Sequence, residues 1–290
     1  MTHGLTLSVV VVSSGRPKAL RRCILALGQL RSAEAEVVVV ADEDGLTALW
    51  GLPGADRVVV RRQVEPNISA ARNVGIAAAA GEIIAFIDDD AVPEPTWAEA
   101  VLGGFQDPEV MAVTGPVLGR NGISLQWGSL AVDVEGRDHD FDPNAPVRAG
   151  FARKLHGCNM AFRREAFAQV GGFDEAFAFY LDDTDLALRI AQAGLRTAWV
   201  PGAVVHHGFQ ASVRRTAERV PLSLFDIGAS SAVYLQKHAS FDRHDSALLD
   251  LEAAQSSRLL QMVRRRKLDD KKMRSLMESL RDGIAEGRTR

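Results

Sequence analysis

The first 90 residues carry three valine- or isoleucine-rich runs, and each is cut off by side chains that do not belong in an apolar interior. Leu7 to Val12 reads LSVVVV and gives way to Ser13, Ser14 and Gly15. Glu36 to Ala41 reads EVVVVA and stops at Asp42, Glu43, Asp44 and Gly45, while Ile83 to Ile87 reads IIAFI and stops at Asp88, Asp89 and Asp90. Apolar runs without alternation mark strands covered on both faces, the condition inside a parallel sheet. Between them, Ala19 to Leu30 has helical apolar spacing behind Pro17, and the alanine-rich stretch Ser69 to Ala80 is closed by Gly81. A short strand is expected at Arg57 to Arg61. Alternating strands and helices predict a doubly wound α/β layer architecture. Ligands collect beyond the carboxyl ends of such strands, so the polar groups that end these runs should meet at one edge.

Further along, Gly115 to Gly150 loses periodicity and gathers Gly, Asp, Pro and Asn, which predicts irregular structure or a hairpin covering the site. Ala149 to Phe162 reads as one strand, Arg164 to Val170 as a short helix, Thr184 to Ala193 as a helix closed by Gly194, and Thr197 to His206 as a last strand. After about Ala239 long charged side chains take over, with apolar residues from Leu259 to Leu280 at helical spacing. The expected organisation is a main domain over 1–239 and a C-terminal amphipathic helical extension over 240–290. The extension is expected to pack on its own domain, and its basic helices leave open a homodimer contact or a peripheral contact with the inner face of a membrane.

A net charge of −3 supplies no basic field for a polyanion, which argues against nucleic-acid binding. The two cysteines, Cys23 and Cys158, sit in apolar or small-residue text, so neither a disulfide framework nor a cysteine zinc site is expected. The opening MTHGLTLSVVVV lacks a basic leader and is too short to cross a bilayer. A reducing, cytoplasmic setting is the expectation.

The aspartate triplet carries the strongest chemical signal. In extended chain, residues two apart share a face, so Asp88 and Asp90 converge and Asp89 turns away. Two carboxylates on one face suit a hard divalent cation, Mg²⁺ or Mn²⁺, whose open positions phosphate oxygens fill. Three aspartates could instead cap a helix over Pro93 to Phe105. A second cluster, Asp182-Asp183-Thr184-Asp185, opens the helix LALRIAQAG, where capping alone would need one carboxylate.

Four ordered blocks set these clusters in context: LSVVVVSSGRPKALRRCILAL, PNISAARNVGIAAAAGEIIAFIDDD, HGCNMAFRREAFAQVGGFDE and FYLDDTDLALRIAQAGLRTAWVPGAVVHH. Their order resembles family 2 inverting glycosyltransferases of the GT-A fold, over roughly Leu5 to Ala239, which implies an α/β fold with a mixed, mostly parallel central sheet flanked by helices. The resemblance implies transfer of a sugar from a nucleotide-diphosphate-sugar donor to a hydroxyl acceptor, which would be a saccharide, a lipid-linked group or another alcohol, in bacterial-type polysaccharide or glycoconjugate synthesis. It implies Asp183 as the catalytic base, Asp88 and Asp90 as metal ligands, and a histidine from His206-His207 as a further ligand, with His206 slightly favoured and Mn²⁺ the first cation to test. It implies donor contacts from Ser13, Asp42 or Asp44, Arg72, Asn73, Asp88 and Asp89. Gly157, Asn159 and Asp182 are implied to line the acceptor side of the sugar pocket.

Several residues keep a second reading. Asp42 could merely start the turn at Asp44 and Gly45, Arg72 could tether the aspartate loop, and Cys158 reads better as a small buried residue than as a nucleophile. The family's PTYNR-like text after the first strand is replaced by Ser13-Ser14-Gly15-Arg16-Pro17, which removes an aromatic partner for the base. Two competing functions stay in view. A sugar-nucleotide nucleotidyltransferase would open with a richer glycine and basic loop than SSGRPKA, and an inactive nucleotide-sugar-binding protein would have less use for both acidic clusters.

Overall fold

The structure, a computed structural model, describes residues 4–31 and 35–290. Met1 to His3 of the opening segment therefore lie outside the described residues. Three of the expected strands appear as β1 (Leu7–Ser13), β2 (Ala35–Ala41) and, after β3 (Val58–Arg62), β4 (Ile83–Asp88). Pairing is parallel throughout this half: β1 lies between β2 and β4, with Val12 opposite both Val40 and Asp88. The chain therefore runs outward from β1 to β2 and β3, then returns to place β4 on the other side of β1. That reversal opens a crevice beyond the ends of β1 and β4, the place where such sheets take ligands.

The sheet continues past β4 through β5 (Ala91–Pro93), which leaves it, to β6 (Val110–Thr114), and later β12 (Met160–Arg163) and β13 (Arg196–Trp199). The order is β13-β6-β12-β4-β1-β2-β3, with β12 antiparallel to both its neighbours. A second sheet joins β5, β7 (Val117–Gly119), β8 (Leu125–Trp127) and β14 (Val205–His207). A third joins β9 (Leu130–Asp133), β10 (Asp138–Asp140) and β11 (Phe151–Arg153). Two expected single strands are thus broken in two. Ala149 to Phe162 is interrupted by a tight turn at His156–Asn159, closed by the Asn159 amide on the His156 carbonyl at 2.6 Å. Thr197 to His206 is interrupted at Pro201 and Gly202, because a proline cannot donate to a ladder.

Helices α1 (Pro17–Leu27), α2 (Glu43–Ala48), α3 (Ile68–Ala78), α4 (Trp97–Gly104), α5 (Arg164–Val170) and α6 (Asp182–Gln192) cover the main sheet. One face packs Leu20, Cys23, Ile24, Trp97 and Phe105 on alternate residues of β1 and β4; the other packs Phe86, Phe162, Phe173, Leu186 and Ile190. Helix α3 sits unusually close to β1, since a Cβ on Gly75 would overlap Val10 Cγ1. That approach fixes where Arg72, one turn earlier, enters the crevice.

The C-terminal layer is α7 (Phe225–His238), α8 (His244–Arg264) and α9 (Asp270–Gly287). Leu224, Leu235, Leu248, Leu259, Leu276 and Leu280 form its core. Helix α7 belongs to both bodies, because Val233 and Tyr234 pack into the main core and the Tyr234 hydroxyl donates to the Asp133 carbonyl at 2.9 Å. Glycines bring α7 and α9 into backbone contact. A Cβ on Gly228, Gly283 or Gly287 would overlap a carbonyl of the facing helix. Gly283→Ala is therefore expected to lower unfolding free energy by about 2 kcal/mol through overpacking, although alanine is the better helix former by about 1 kcal/mol. Denaturant titration checks this against Asp282→Ala on the exposed face, for which a change within about 0.5 kcal/mol is expected. Among the described residues no helix is long and apolar enough to cross a membrane.

Candidate active site

A cavity of about 360 Å³ occupies the crevice beyond β1 and β4. Six residues singled out from the sequence line it: Arg72, Asp88, Gly157, Asp182, Asp183 and His207. The two acidic clusters therefore share one cleft, and Arg72 connects them. Its guanidinium is ion-paired with Asp182, lies 3.7 Å from Asp88 Oδ1 and donates to the Gly157 carbonyl at 3.1 Å. Phe173 stacks beneath it at 5.1 Å. Burial lowers its pKa, opposed by the charges of Asp88 and Asp183.

The second cluster is not a cap. Helix α6 begins after Tyr180 and Leu181, two consecutive non-glycine residues at φ 79° and 63°, and no side chain caps it. Left-handed backbone costs such residues roughly 1–2 kcal/mol each, a strain that the packing around them holds in place at a functional edge. It turns the first helical turn so that its carboxylates go three ways. Asp182 meets Arg72, Asp183 faces the cavity, and Asp185 is buried against Arg189, Lys237 and His238, each at 2.8 Å. Asp183 Oδ2 accepts the Gly157 amide at 2.8 Å and Oδ1 accepts the Thr184 hydroxyl at 3.1 Å. These contacts orient the carboxylate and leave lone pairs on both oxygens. A Cβ on Gly157 would lie 2.9 Å from Arg72 Nη2 and 3.1 Å from Asp183 Oδ2, so a larger residue there would displace one or both of these side chains.

At the end of β4 the three aspartates have different surroundings. Asp88 opens into the cavity. Asp89 is fully buried beneath it, accepting the Ser13 hydroxyl at 2.6 Å and meeting Arg16 Nη2 at 2.6 Å. Burial pushes its carboxyl up to about 7, while Arg16 and Ser13 pull it back. Asp90 accepts the Gln210 amide at 2.7 Å, with His207 Nε2 at 3.3 Å from Oδ1. Burial would raise its carboxyl, but contact with His207, the Arg16 charge and the Gln210 amide hold it well below the usual carboxylate range.

A divalent cation fits this corner. His207 Nε2 lies 3.3 Å from Asp90 and 3.8 Å from Asp88, so one imidazole nitrogen faces both carboxylates. Asp90 Oδ1 is a buried acceptor without a hydrogen-bond donor. Ligand atoms of Asp88, Cys158 and His207 come within 4.8 Å of one another. Cys158 is a poor member of that set, because burial and the surrounding aspartates push its thiol well above its ordinary value.

Several expected site residues are placed elsewhere. His206, the histidine favoured from sequence, points to the opposite face of β14 and pairs with Glu94 at 2.5 Å, so the residue beside the aspartates is His207. Asn73 sits one residue, about 100°, round α3 from Arg72, and its amide is spent on Phe173 and Glu175. Asn159 braces the fold instead of lining the pocket, accepting Trp97 Nε1–H at 2.9 Å and donating to the Pro116 and Ala203 carbonyls. Ser13 donates to Asp89 below the cavity floor. Asp42 caps α2 by accepting the Gly45 amide at 2.9 Å and also takes the Gly15 amide at 2.5 Å, while Asp44 is exposed in the first turn of α2. Neither lines the cavity.

Other lining residues carried no motif. Arg16 enters from the loop after β1. Trp127 stacks on His156 at 5.7 Å and lies 5.6 Å from His207, so the expected covering segment delivers an aromatic wall. Burial keeps His156 below its ordinary pKa. Phe209 and Arg215 come from a strap after β14. A polar strand end in SSGRP was the only signal for Arg16; Trp127 had none.

The family described as Glycosyltransferase like family 2 matches residues 3–220. The chain belongs to that family. Within it, the pre-mycofactocin glycosyltransferase of Mycobacterium tuberculosis is 29% identical over 217 residues, covering 71% of this chain and 43% of that protein. The N-acetylglucosaminyl-diphospho-decaprenol L-rhamnosyltransferase of the same organism is 30% identical over 212 residues, covering 71% of this chain and 60% of that protein. The matches thus span about half the length of these relatives. The mannosyltransferase PcManGT from Pyrobaculum calidifontis, solved with GDP-Man and Mn²⁺, superposes with a TM-score of 0.56 at 18% identity, over 99% of this chain and 88% of that one. This likeness places the family 2 chain in the GT-A fold, with a mixed, mostly parallel sheet and C-terminal helices, as its sequence blocks imply.

Proposed function

We propose that this family 2 chain is a metal-dependent, inverting glycosyltransferase that moves a sugar from a nucleotide-diphosphate-sugar donor to a hydroxyl acceptor in glycoconjugate or polysaccharide synthesis. The observation that carries the reading is the single cleft holding Asp88 and His207 on one wall and Asp183 on another, with Arg72 between them. Asp88, Asp90 and His207 are the residues that would hold Mn²⁺ or Mg²⁺. The bound cation supplies Lewis-acid stabilisation of the charge on the leaving diphosphate.

The chain's own residues do the rest. The Asp183 carboxylate accepts the proton of the acceptor hydroxyl as its oxygen bonds to the anomeric carbon and the carbon–oxygen bond to the diphosphate breaks. Asp182 is neutralised by Arg72, which leaves Asp183 as the carboxylate of its cluster able to take that proton. One displacement from the face opposite the leaving group inverts configuration. Trp127 and Phe209 wall off water on the side of His207. A nucleotidyltransferase is less well served, because Arg16, the basic residue of its glycine-containing loop, is already paired with Asp89 and Asp90. Two free buried cysteines accord with a reducing, cytoplasmic setting.

Thermal-shift screening of nucleotide sugars with and without Mn²⁺ tests the donor half. At a hundredfold excess over Kd the donor should stabilise the chain by about 2.7 kcal/mol, and only with the cation present. Asp88→Asn should remove the Mn²⁺ dependence; a donor shift of equal size with chelator, or in that variant, would refute the metal assignment.

A further inference from the structure

Beside the cleft, sharing Phe179, Phe209 and Ser212 with its wall, lies a smaller pocket of about 210 Å³ walled by Arg214, Arg215, Arg219 and Arg258. Four guanidinium groups face a single lining carboxylate, Asp226, and that carboxylate is taken by Arg214 Nε at 2.8 Å. Arg215 donates to the Gln210 carbonyl and leans toward Asp90 at 3.6 Å. Among the described residues Arg219 and Arg258 make no ion pair; Arg258 has only Gln255 at 3.2 Å. Aromatic rings set two of the four planes, with Arg214 over Phe179 and Arg219 over Phe209, both at 4.1 Å. Stacked guanidinium planes keep their N–H edges free for a planar or tetrahedral oxyanion. Arg214 is paired with Asp226 and Arg215 with Asp90, so the uncompensated charge of the pocket is that of Arg219 and Arg258, and the folded chain gains when an anion enters beside them.

The pocket is a joint product of the two bodies. Arg214, Arg215 and Arg219 come from the strap after β14, and Arg258 comes from the middle of α8. This gives the C-terminal helices a part in the site. The shared wall puts an anion held there beside the cleft that Asp183 lines, yet the pocket includes neither Asp88 nor His207.

We propose that this pocket binds the phosphate or diphosphate group of a phosphorylated acceptor, orienting its hydroxyl toward Asp183. The assignment rests on the glycosyl-transfer reading for the word acceptor, and the test separates the two. Calorimetric titration of the whole chain with inorganic pyrophosphate in EDTA reports the arginine pocket without the cation corner. The double variant Arg219→Gln/Arg258→Gln should bind pyrophosphate at least tenfold more weakly, while its Mn²⁺-dependent shift with a nucleoside diphosphate stays unchanged. Farnesyl diphosphate and a sugar 1-phosphate, each competing with pyrophosphate, distinguish the sources: tighter binding of the first marks a lipid-linked acceptor and comparable binding of the second a soluble one. Equal pyrophosphate affinity in wild type and variant would overturn the proposal, as would parallel loss of the nucleoside diphosphate shift, which would give these arginines to the donor. A wild type that binds pyrophosphate but shows no Mn²⁺-dependent nucleotide shift would overturn the donor reading and leave the pocket standing.

Discussion

Asp183→Asn is expected to lower turnover by ~10³-fold while leaving Mn²⁺-dependent donor binding within about twofold of wild type, the range seen when a positioned general base is removed. The amide oxygen of Asn can still accept the Gly157 N–H that Oδ2 accepts now at 2.8 Å, so the turn at His156–Asn159 keeps its shape. What the amide cannot do is take a proton at neutral pH. The proposed cation corner is Asp88, Asp90 and His207, none of which is hydrogen-bonded to Asp183. A fall in kcat with little change in donor affinity is therefore the signature, measured by single-turnover transfer beside thermal shift. A variant that retains a tenth or more of the wild-type kcat would remove Asp183 from the role of base.

Replacing Asp185 should act on stability instead of chemistry. Its carboxylate is fully buried and joins α6 to α7 through Lys237 and His238, with Arg189 of α6 itself as a third partner. Burial alone would raise its pKa, but the His238 contact and the charges of Arg189 and Lys237 bring it down to about 2. Asp185→Asn leaves three donors facing a neutral amide and is expected to cost about 3 kcal/mol at pH 7, at the lower end for breaking a buried pair because Lys237 and Arg189 are partly solvated. The sign of the pH dependence follows from a depressed carboxylate. Its stabilisation is fully present above the unfolded value near pH 4 and is lost as pH falls through the folded value near 2. The gap between wild type and variant in denaturant titrations should accordingly be constant from pH 7 to about 5 and close below pH 4. A gap as wide at pH 2.5 as at pH 7 would mean the carboxylate's charge is not what holds α7.

The opening half of the fold was legible because its strands are buried on both faces. Leu7 to Val12, the valine run of β2 and IIAFI can satisfy their side chains only inside a sheet, so their order gave the parallel core and the crevice at its switch point. The helices Arg164 to Val170 and α6 were readable from spacing and a terminal glycine. The broken strands were not. His156-Gly157-Cys158-Asn159 contains enough small and apolar text to pass for strand, and the turn is seen only in its contacts with distant residues, Asp183, Arg72 and Trp97 among them. The site was partly legible for the same reason. Carboxylates too numerous for capping marked Asp88, Asp90 and Asp183, whereas Asn73 and Asn159 carry ordinary amides whose partners, Phe173 and Trp97, lie 100 and 62 positions away in the chain and are met by contact, not by pattern.

What the chain's own text determined was composition at the strand ends: which residues arrive at the crevice, and with what charge. Tertiary structure decided facing. His206 and His207 are adjacent and chemically alike, and the ladder of β14 against β5 and β7 sends one to Glu94 and the other to the aspartates. Arg16, Trp127 and the four arginines of the side pocket acquire meaning only when segments far apart in the chain close on one another, because a side chain's role there is set by the neighbours that desolvate and pair it, which local sequence does not record.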